Sequence, residues 1–186
     1  MHRGDPAESV HLIEKGRFSI QVMSPLGDIV TIALRGRGDC FGEMALLGED
    51  PRRSATVTAL EEAETFSIYR DDFERLRSQH PEVTEALFRF LVNEVRMLNE
   101  RLLEAFYLPV HKRVLRRLNE LSALYPEDAD GHPVILLTQE ALAGLVGTTR
   151  ATVNTVLRAE EKRGLIKLGN RRIHVLDPES LAARSR

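Results

Sequence analysis

Residues 38–59 read GDCFGEMALLGEDPRRSATVTA, and the order of residue types in them decides the architecture of the front half of the chain. Gly38 and Gly42 mark a turn, and Glu43, Met44, Ala45, Leu46 and Leu47 are good helix formers, enough for about one and a half turns. The expectation is a short helix with free N-terminal N–H groups. Such an end attracts anions, and Gly42 lacks the side chain that would keep a ligand oxygen off the backbone. Arg53 and Ser54 follow at the entry to an alternating strand over 55–59, which sets a guanidinium fork and a hydroxyl beside the same hollow. Free amides with a guanidinium suit a phosphate. Glu43 would repel that charge unless its carboxylate accepts hydrogen bonds from sugar hydroxyls, and phosphate with ribose makes the expected ligand a nucleotide. The alternative is that Glu43 and Arg53 pair with each other across a corner of the fold, with no ligand.

Phe41-Gly42-Glu43-Met44-Ala45-Leu46 with Arg53-Ser54-Ala55 resembles the phosphate-binding cassette of cyclic-nucleotide-binding domains in the Crp/Fnr family of bacterial transcription regulators. The resemblance implies that Glu43 takes the ribose 2′-hydroxyl while Arg53 and Ser54 hold the cyclic phosphate. Phe41, Gly42 and Met44 complete the expected ligand site, with cyclic AMP (cAMP) as the first effector and no metal. Compared with the family the chain starts late: residues 4–8 resemble the turn before a middle strand of the roll, so the usual leading helix and first strands have no counterpart.

Composition sets outer limits. A chain of 186 residues, 42% hydrophobic, suffices for two small cores. No apolar run approaches a membrane span, and the first residues lack the apolar core of a signal peptide, so the expectation is a cytoplasmic protein with no membrane partner. Arg3-Gly4-Asp5 matches an adhesion tripeptide by chance. Cys40 is the only cysteine, which excludes an intramolecular disulfide and a cysteine-held iron–sulfur cluster. Charge is uneven. Residues 109–186 hold 13 of the 26 Lys and Arg but 9 of the 28 Asp and Glu, so they carry +4 against −6 for the remainder. The basic part is the candidate polyanion binder.

Residues 10–14 and 17–22 read as two strands joined at Lys15-Gly16, residues 25–28 as a turn and 29–34 as the next strand. Short strands broken by glycine turns argue for a small antiparallel roll. Gly36, Gly38 and Gly42 miss the spacing of a dinucleotide fingerprint, and no long helix follows them. Residues 64–69 supply a closing strand, and Asp71 to Leu76 a capped helical turn with acids at its start, broken at His80-Pro81. From 82 to about 106 runs a long helix with Leu87, Leu91, Val95, Leu98 and Leu102 at near-heptad spacing, a seam suited to a second copy of the chain. Phe88 and Phe90 widen the apolar face and keep open a core helix lying across the domain. In cAMP-binding relatives this helix carries a hydroxyl facing the adenine and a Ser or Asn beside it reaching the partner's ligand. Counted from Arg53, these positions fall on Leu98 and Asn99. Asn99 fits; Leu98 cannot hydrogen-bond the adenine amino group and strengthens the seam.

Pro109 opens a helix with apolar residues at 110, 114, 118 and 121, and a polar loop leads to a strand over 134–137. Thr138 caps a helix over 139–146 stopped by Gly147, and Thr148-Thr149 caps another over 150–158. Two short helices joined at one glycine are a helix-turn-helix. Its second helix exposes Arg150, Ala151, Asn154, Thr155 and Arg158, so that Arg150 reaches a guanine edge or only a phosphate, and Asn154 an adenine. Residues 164–168, a Gly169-Asn170 turn and residues 171–175 form a wing whose Arg171 and Arg172 touch phosphates. Thr138, Thr149 and Thr152 join these as candidate DNA contacts. This stretch resembles the family's winged helix-turn-helix, with Ala151 and Thr155 departing from the Glu and Arg that relatives often carry. The six histidines show no metal-ligand spacing and read as surface or core.

The expected fold class is α+β: an antiparallel β-roll of the cyclic-nucleotide-binding jelly-roll type (1–80), a dimerisation helix (81–108) and a winged helix-turn-helix (109–186). The expected function is a homodimeric transcription regulator binding double-stranded DNA, with RNA polymerase as a further partner. The alternatives are a ligand-independent dimeric regulator and a nucleotide-sensing module that docks a protein. No constellation of nucleophile, base and oxyanion donors argues for an enzyme.

Overall fold

Period-two alternation in residues 9–15 organises the first part of the molecule. The computed structural model describes residues 1–24, 27–47 and 52–185. In chain order it runs β1 (Ser9–Lys15), β2 (Phe18–Met23), β3 (Ile29–Arg35), β4 (Cys40–Phe41), α1 (Glu43–Leu47), β5 (Thr56–Ala59), β6 (Glu64–Tyr69), α2 (Arg70–Gln79) and α3 (Pro81–Tyr107). Then follow α4 (Val110–Ser122), β7 (Val134–Ile135), α5 (Gln139–Val146), α6 (Arg150–Lys162), β8 (Ile166–Gly169), β9 (Arg172–Val175) and α7 (Pro178–Ser185). Two compact units emerge, Met1–Asn99 and Glu100–Arg186. No helix among the described residues is long and apolar enough to cross a membrane.

In the first unit β1 lies between β4 and β6, and β2 between β3 and β5, all antiparallel, giving two three-stranded sheets. Ser9, His11 and Ile13 share one face of β1, Val10 and Leu12 the other. Each face feeds its own core. Ile13 packs with Phe41 and Val57, joined by Phe18 and Ile20, inside the roll. Val10 packs with Leu46 of α1 and Phe73 of α2, joined by Ile68, Val83 and Leu87, which ties both helices and the start of α3 to the same sheet.

Several expectations need correction here. The glycine turn before α1 contains a two-residue strand, β4, paired to His11 and Leu12. Of the expected turn over 25–28, Pro25 and Leu26 lie outside the described residues, as do residues 48–51 of the opening stretch; the bond from Gly27 N to Ser24 O is 3.0 Å. The start of α2 is not capped by a side chain: its N-cap is Tyr69, and Asp71 and Asp72 sit in the first turn, where their charge complements the helix dipole.

α3 contains no buried residue. Val83, Leu87, Phe90, Glu94 and Met97 are half-buried at alternating spacings of four and three, one stripe of the helix. Leu91, Val95, Leu98 and Leu102 are exposed, as are Phe88, Leu103 and Phe106. Leu87 of the expected seam is half-buried against the roll's core, and the exposed part of that seam begins at Leu91.

In the second unit α4 buries Val114, Leu115, Leu118 and Leu121 against a core completed by Ile135, Leu142, Val153, Leu157, Ile166, Ile173, Val175 and Leu181. Pro109 is the N-cap of α4, one place before its first residue. The sheet order is β7-β9-β8. β7 is half the expected length because its register pairs Ile135 with Ile173, which would set Leu136 opposite Arg172, at the turn. α6 passes the expected stop at Arg158 and runs to Lys162, since neither Gly nor Pro occurs before Gly164. α7 was not expected. Its start carries a legible signal, Asp177 as cap and Pro178 as first residue, with Ser180 N donating to Asp177 Oδ1 at 2.9 Å.

Candidate functional site

Two groups of the predicted residues come together, one in each unit. In the first, the chain turns from β4 into α1 at Gly42, whose φ of +87° favours glycine. A Cβ there would overlap Arg53 Nη1 and come within 3.0 Å of Ser9 O. The Arg53 side chain thus lies directly against the cassette backbone. It is 7% exposed. Nη1 donates to Ser9 O at 2.6 Å and more distantly to Gly42 O at 3.5 Å, and Nη2 donates to Ser9 Oγ at 3.0 Å. Nε is buried with no partner. The Arg53 backbone is pinned from the N-terminal side, with Gly4 N donating to Arg53 O and Arg53 N to Asp5 O. Burial pulls the guanidinium below its ordinary pKa, against the Asp5 and Glu43 carboxylates, which raise it.

Among the described residues no ion pair joins Glu43 to Arg53, so the two do not simply neutralise each other across the corner. Burial is the largest influence on the Glu43 carboxyl and pushes its pKa up; the backbone N–H at the helix start, Arg35 and Arg53 pull it down, and Glu94 adds to the rise. Ser54 and Met44 are exposed, with Ser54 Oγ 3.5 Å from Met44 Sδ, so both stand at the mouth of the cassette. Phe41 is buried beneath it. Asn99 is exposed on α3.

Three neighbours escaped the sequence reading. His11 stacks on Phe41 with ring centroids 4.9 Å apart, and its ring nitrogens lie 3.2 Å from Ser9 Oγ and 3.0 Å from Ser67 Oγ. Its pKa is lowered, by burial first and by the Arg53 cation second, both of which disfavour a charged imidazole there. Arg35, at the end of β3, pairs with Glu94 of α3 at 2.5 Å. Nothing in the residue spacing announces either contact, because each depends on strand register. Cys40 faces the helices with its pKa pushed up to about 11, chiefly by burial, so it is a thiol and not a reactive thiolate.

The second group surrounds the start of α6. Thr138 Oγ1 accepts from Ala141 N at 3.1 Å and caps α5, which Gly147 ends with a left-handed φ of 71°. Thr149 Oγ1 accepts from Thr152 N at 3.2 Å and caps α6. The hydroxyl of Thr152 is 2.9 Å from that of Thr149, and Thr155 Oγ1 donates to Ala151 O, so both serve the helix itself. Arg150, Asn154 and Arg158 are exposed. Arg158 pairs with Glu161 at 2.7 Å, whereas Arg150, Arg171 and Arg172 have no ion pair among the described residues. Thr138, Arg150, Arg171 and Arg172 line one hollow of about 520 Å³ between the starts of α5 and α6 and the β8–β9 hairpin. The hairpin turn is shifted by one residue from the expectation. β8 runs through Gly169, and Asn170 with Arg171 makes the turn, Arg171 at φ +54°.

Two family models match separate stretches of the chain. The family model described as "Cyclic nucleotide-binding domain" matches residues 1–80, and that described as "Crp-like helix-turn-helix domain" matches residues 112–184. A CRP-like cAMP-activated global transcriptional regulator of Mycobacterium tuberculosis is 31% identical over 185 residues, 98% of this chain and 82% of the relative. A cyclic AMP receptor protein of Thermus thermophilus is 32% identical over 168 residues, 90% of this chain and 75% of that one. Among solved structures, a CRP-family transcriptional regulator of Thermus thermophilus superposes with a TM-score of 0.83 at 25% identity, over 99% of this chain and 91% of the other. These relatives are transcription regulators and not enzymes. Two family models that together span most of the chain, and relatives aligned along nearly its whole length, make this chain a member of the CRP/FNR family of DNA-binding transcription regulators.

Proposed function

We propose that the chain acts as a homodimer whose grip on double-stranded DNA is set by a cyclic nucleotide held in the roll. The observation that carries this is Arg53, a guanidinium 7% exposed, with a buried Nε lacking a partner and a glycine against its face in place of a carboxylate ion pair. Burying a cation with no carboxylate paired directly to it costs stability, and a bound phosphate supplies that partner.

In this reading Arg53 and Ser54 hold the cyclic phosphate, Gly42 lets it approach the backbone and Glu43 accepts from the ribose 2′-hydroxyl. Phe41 and Met44 flank the ligand, and Asn99 reaches the partner subunit's ligand. The effector named in the relatives, cAMP, is the reference ligand. Residues 1–80 sense, 81–108 pair two copies along Leu91, Val95, Leu98 and Leu102, and 109–186 bind DNA. Arg150 and Asn154 read base edges while Arg171, Arg172 and Arg158 meet phosphates; Thr138, Thr149, Thr152 and Thr155 position these helices and add backbone contacts. Coupling has a physical route within the roll's own unit, since Leu46 of α1 packs with Phe73 and Leu87. A ligand that draws on Gly42 and Glu43 loads α3 through that cluster and shifts the population of helix positions. Contact with RNA polymerase and a cytoplasmic location belong to the same reading.

One observation favours a second reading. Arg53 already donates to Ser9 O and Ser9 Oγ, which suits a purely structural anchor and a regulator that binds DNA without ligand. Calorimetric titration with cAMP and cyclic GMP (cGMP), followed by DNA mobility with and without the nucleotide, separates the two. The first reading expects saturable heat in the wild type, weakened about a hundredfold or more in Arg53→Ala, and tighter DNA binding with ligand. Equal DNA binding in both conditions supports the second.

A further inference from the structure

We propose that Ser9, held by His11, is the positioning residue for Arg53: it clasps one edge of the guanidinium and so presents the next edge to a bound phosphate. This rests on the roll being a cyclic-nucleotide site. A guanidinium carries five N–H donors in one plane and accepts nothing. Its terminal edge is taken by a single residue, with Nη1 donating to Ser9 O at 2.6 Å and Nη2 to Ser9 Oγ at 3.0 Å. Nη1 also approaches Gly42 O, at 3.5 Å. Left over are the second N–H of Nη2 and Nε–H, the latter buried without a partner. These two lie side by side on the adjacent edge, the fork that fits two oxygens of a phosphate. Ser9 and Arg53 are each 7% exposed, which keeps water from competing for the clasp. A fork fixed before the ligand arrives spares binding the entropy of ordering a long side chain.

Ser9 is itself held from behind. Since Arg53 only donates, Ser9 Oγ accepts from Nη2, and its own proton needs an acceptor. His11 Nε2, 3.2 Å away, supplies one when the ring carries its proton on Nδ1, which then donates to Ser67 Oγ at 3.0 Å. That tautomer gives each proton along the row from Ser67 to Arg53 an acceptor. It requires a neutral ring, which burial and the neighbouring Arg53 cation favour. The ring is fixed in turn by stacking on Phe41, the residue opposite it in the β1–β4 ladder, and Phe41 leads straight into Gly42. Two residues of one strand therefore locate both the arginine fork and the cassette turn.

The test is calorimetric titration of the purified chain with cAMP and cGMP, in the wild type, Ser9→Ala, Arg53→Lys and the double variant. Ser9→Ala is expected to weaken binding of the tighter nucleotide about tenfold, the loss of one hydrogen bond to a charged group. In the Arg53→Lys chain the ammonium has no fork for Ser9 to turn, so adding Ser9→Ala is expected to change affinity less than about threefold. His11→Phe keeps the ring stack, removes the acceptor and is expected to cost about threefold. Ser9→Thr keeps the hydroxyl and is expected to recover affinity to within about threefold of the wild type, so it carries the test if Arg53→Lys binds too weakly to titrate. An unchanged affinity in Ser9→Ala or in His11→Phe overturns the inference and leaves the nucleotide site standing. So does a Ser9→Ala loss of equal size in both backgrounds, or a Ser9→Thr chain as weak as Ser9→Ala, since a merely structural serine would give either. Heat from neither nucleotide in the wild type removes the inference together with the reading beneath it.

Discussion

Glu43 is placed under opposing demands. In the proposed reading its carboxylate accepts, charged, from a sugar hydroxyl, yet burial raises its pKa above the ordinary value in the folded chain. A folded-state pKa above the unfolded one means the native chain binds the proton more tightly. Stability then falls as pH rises from the ordinary glutamate range through the raised value, and the full penalty is present above it. Glu43→Gln removes the charge and should melt higher than the wild type at neutral pH. Below about pH 4, where a glutamate is protonated in either state, the two should converge. Melting curves at the two pH values check this, and an unchanged difference would show that Glu43 is not the group responsible. His11 shows the limit of reading at this scale. Its two hydroxyl partners and its stacking on Phe41 come from the registers that set His11 opposite Phe41 and Ser67. Residue type alone leaves it an ordinary strand histidine.

Elements were legible wherever a local signal closes both ends. α5 begins at a capping threonine and ends at a left-handed glycine, and both boundaries follow from residue type. α3 spans nearly the expected residues because Pro81 starts it and no breaker intervenes before Pro109. β4 was not legible, since two residues carry no period and only pairing with β1 makes them a strand. α7 shows how far an element's worth depends on distant contacts. Glu160 on α6 has a side chain 4% exposed and accepts from Arg163 at 3.0 Å and from Arg184 of α7 at 3.0 Å. Arg163 and Arg184 are 49% and 41% exposed, so they are screened and reach water when released. Glu160→Ala should therefore cost about 2 kcal/mol, below the usual loss for a fully buried pair. It should also speed amide exchange in α7 relative to the rest of the chain, as hydrogen exchange by mass spectrometry would resolve. Slower or unchanged exchange there would mean that Leu181, fully buried, holds α7 without the ion pairs.

Charge is arranged unevenly over the whole molecule, at −6 before residue 109 and +4 from there on. Ionic strength of about 0.1 M screens charges beyond about 10 Å, so the salt dependence of DNA binding reports local phosphate neutralisation. Arg171 and Arg172 are exposed and without ion pairs among the described residues, which leaves them free to displace counterions, whereas Arg158 must first part from Glu161. Each phosphate contact on duplex adds about 0.9 to the slope of log K against log salt. Neutralising Arg171 and Arg172 together should lower the slope by about 1.8 for each copy bound and about 3.6 for a dimer. Affinity should weaken nearly equally on operator and random sequence, because phosphates carry no base identity. Arg150→Ala should instead narrow the ratio between the two sequences, by about tenfold if the arginine forks onto a guanine. Fluorescence anisotropy over a salt series from about 50 to about 300 mM, on both duplexes, distinguishes the cases. A wing that leaves the slope unchanged would confine the DNA contacts to α5 and α6, and the +4 from residue 109 onward would then be a solvated surface and not a phosphate grip.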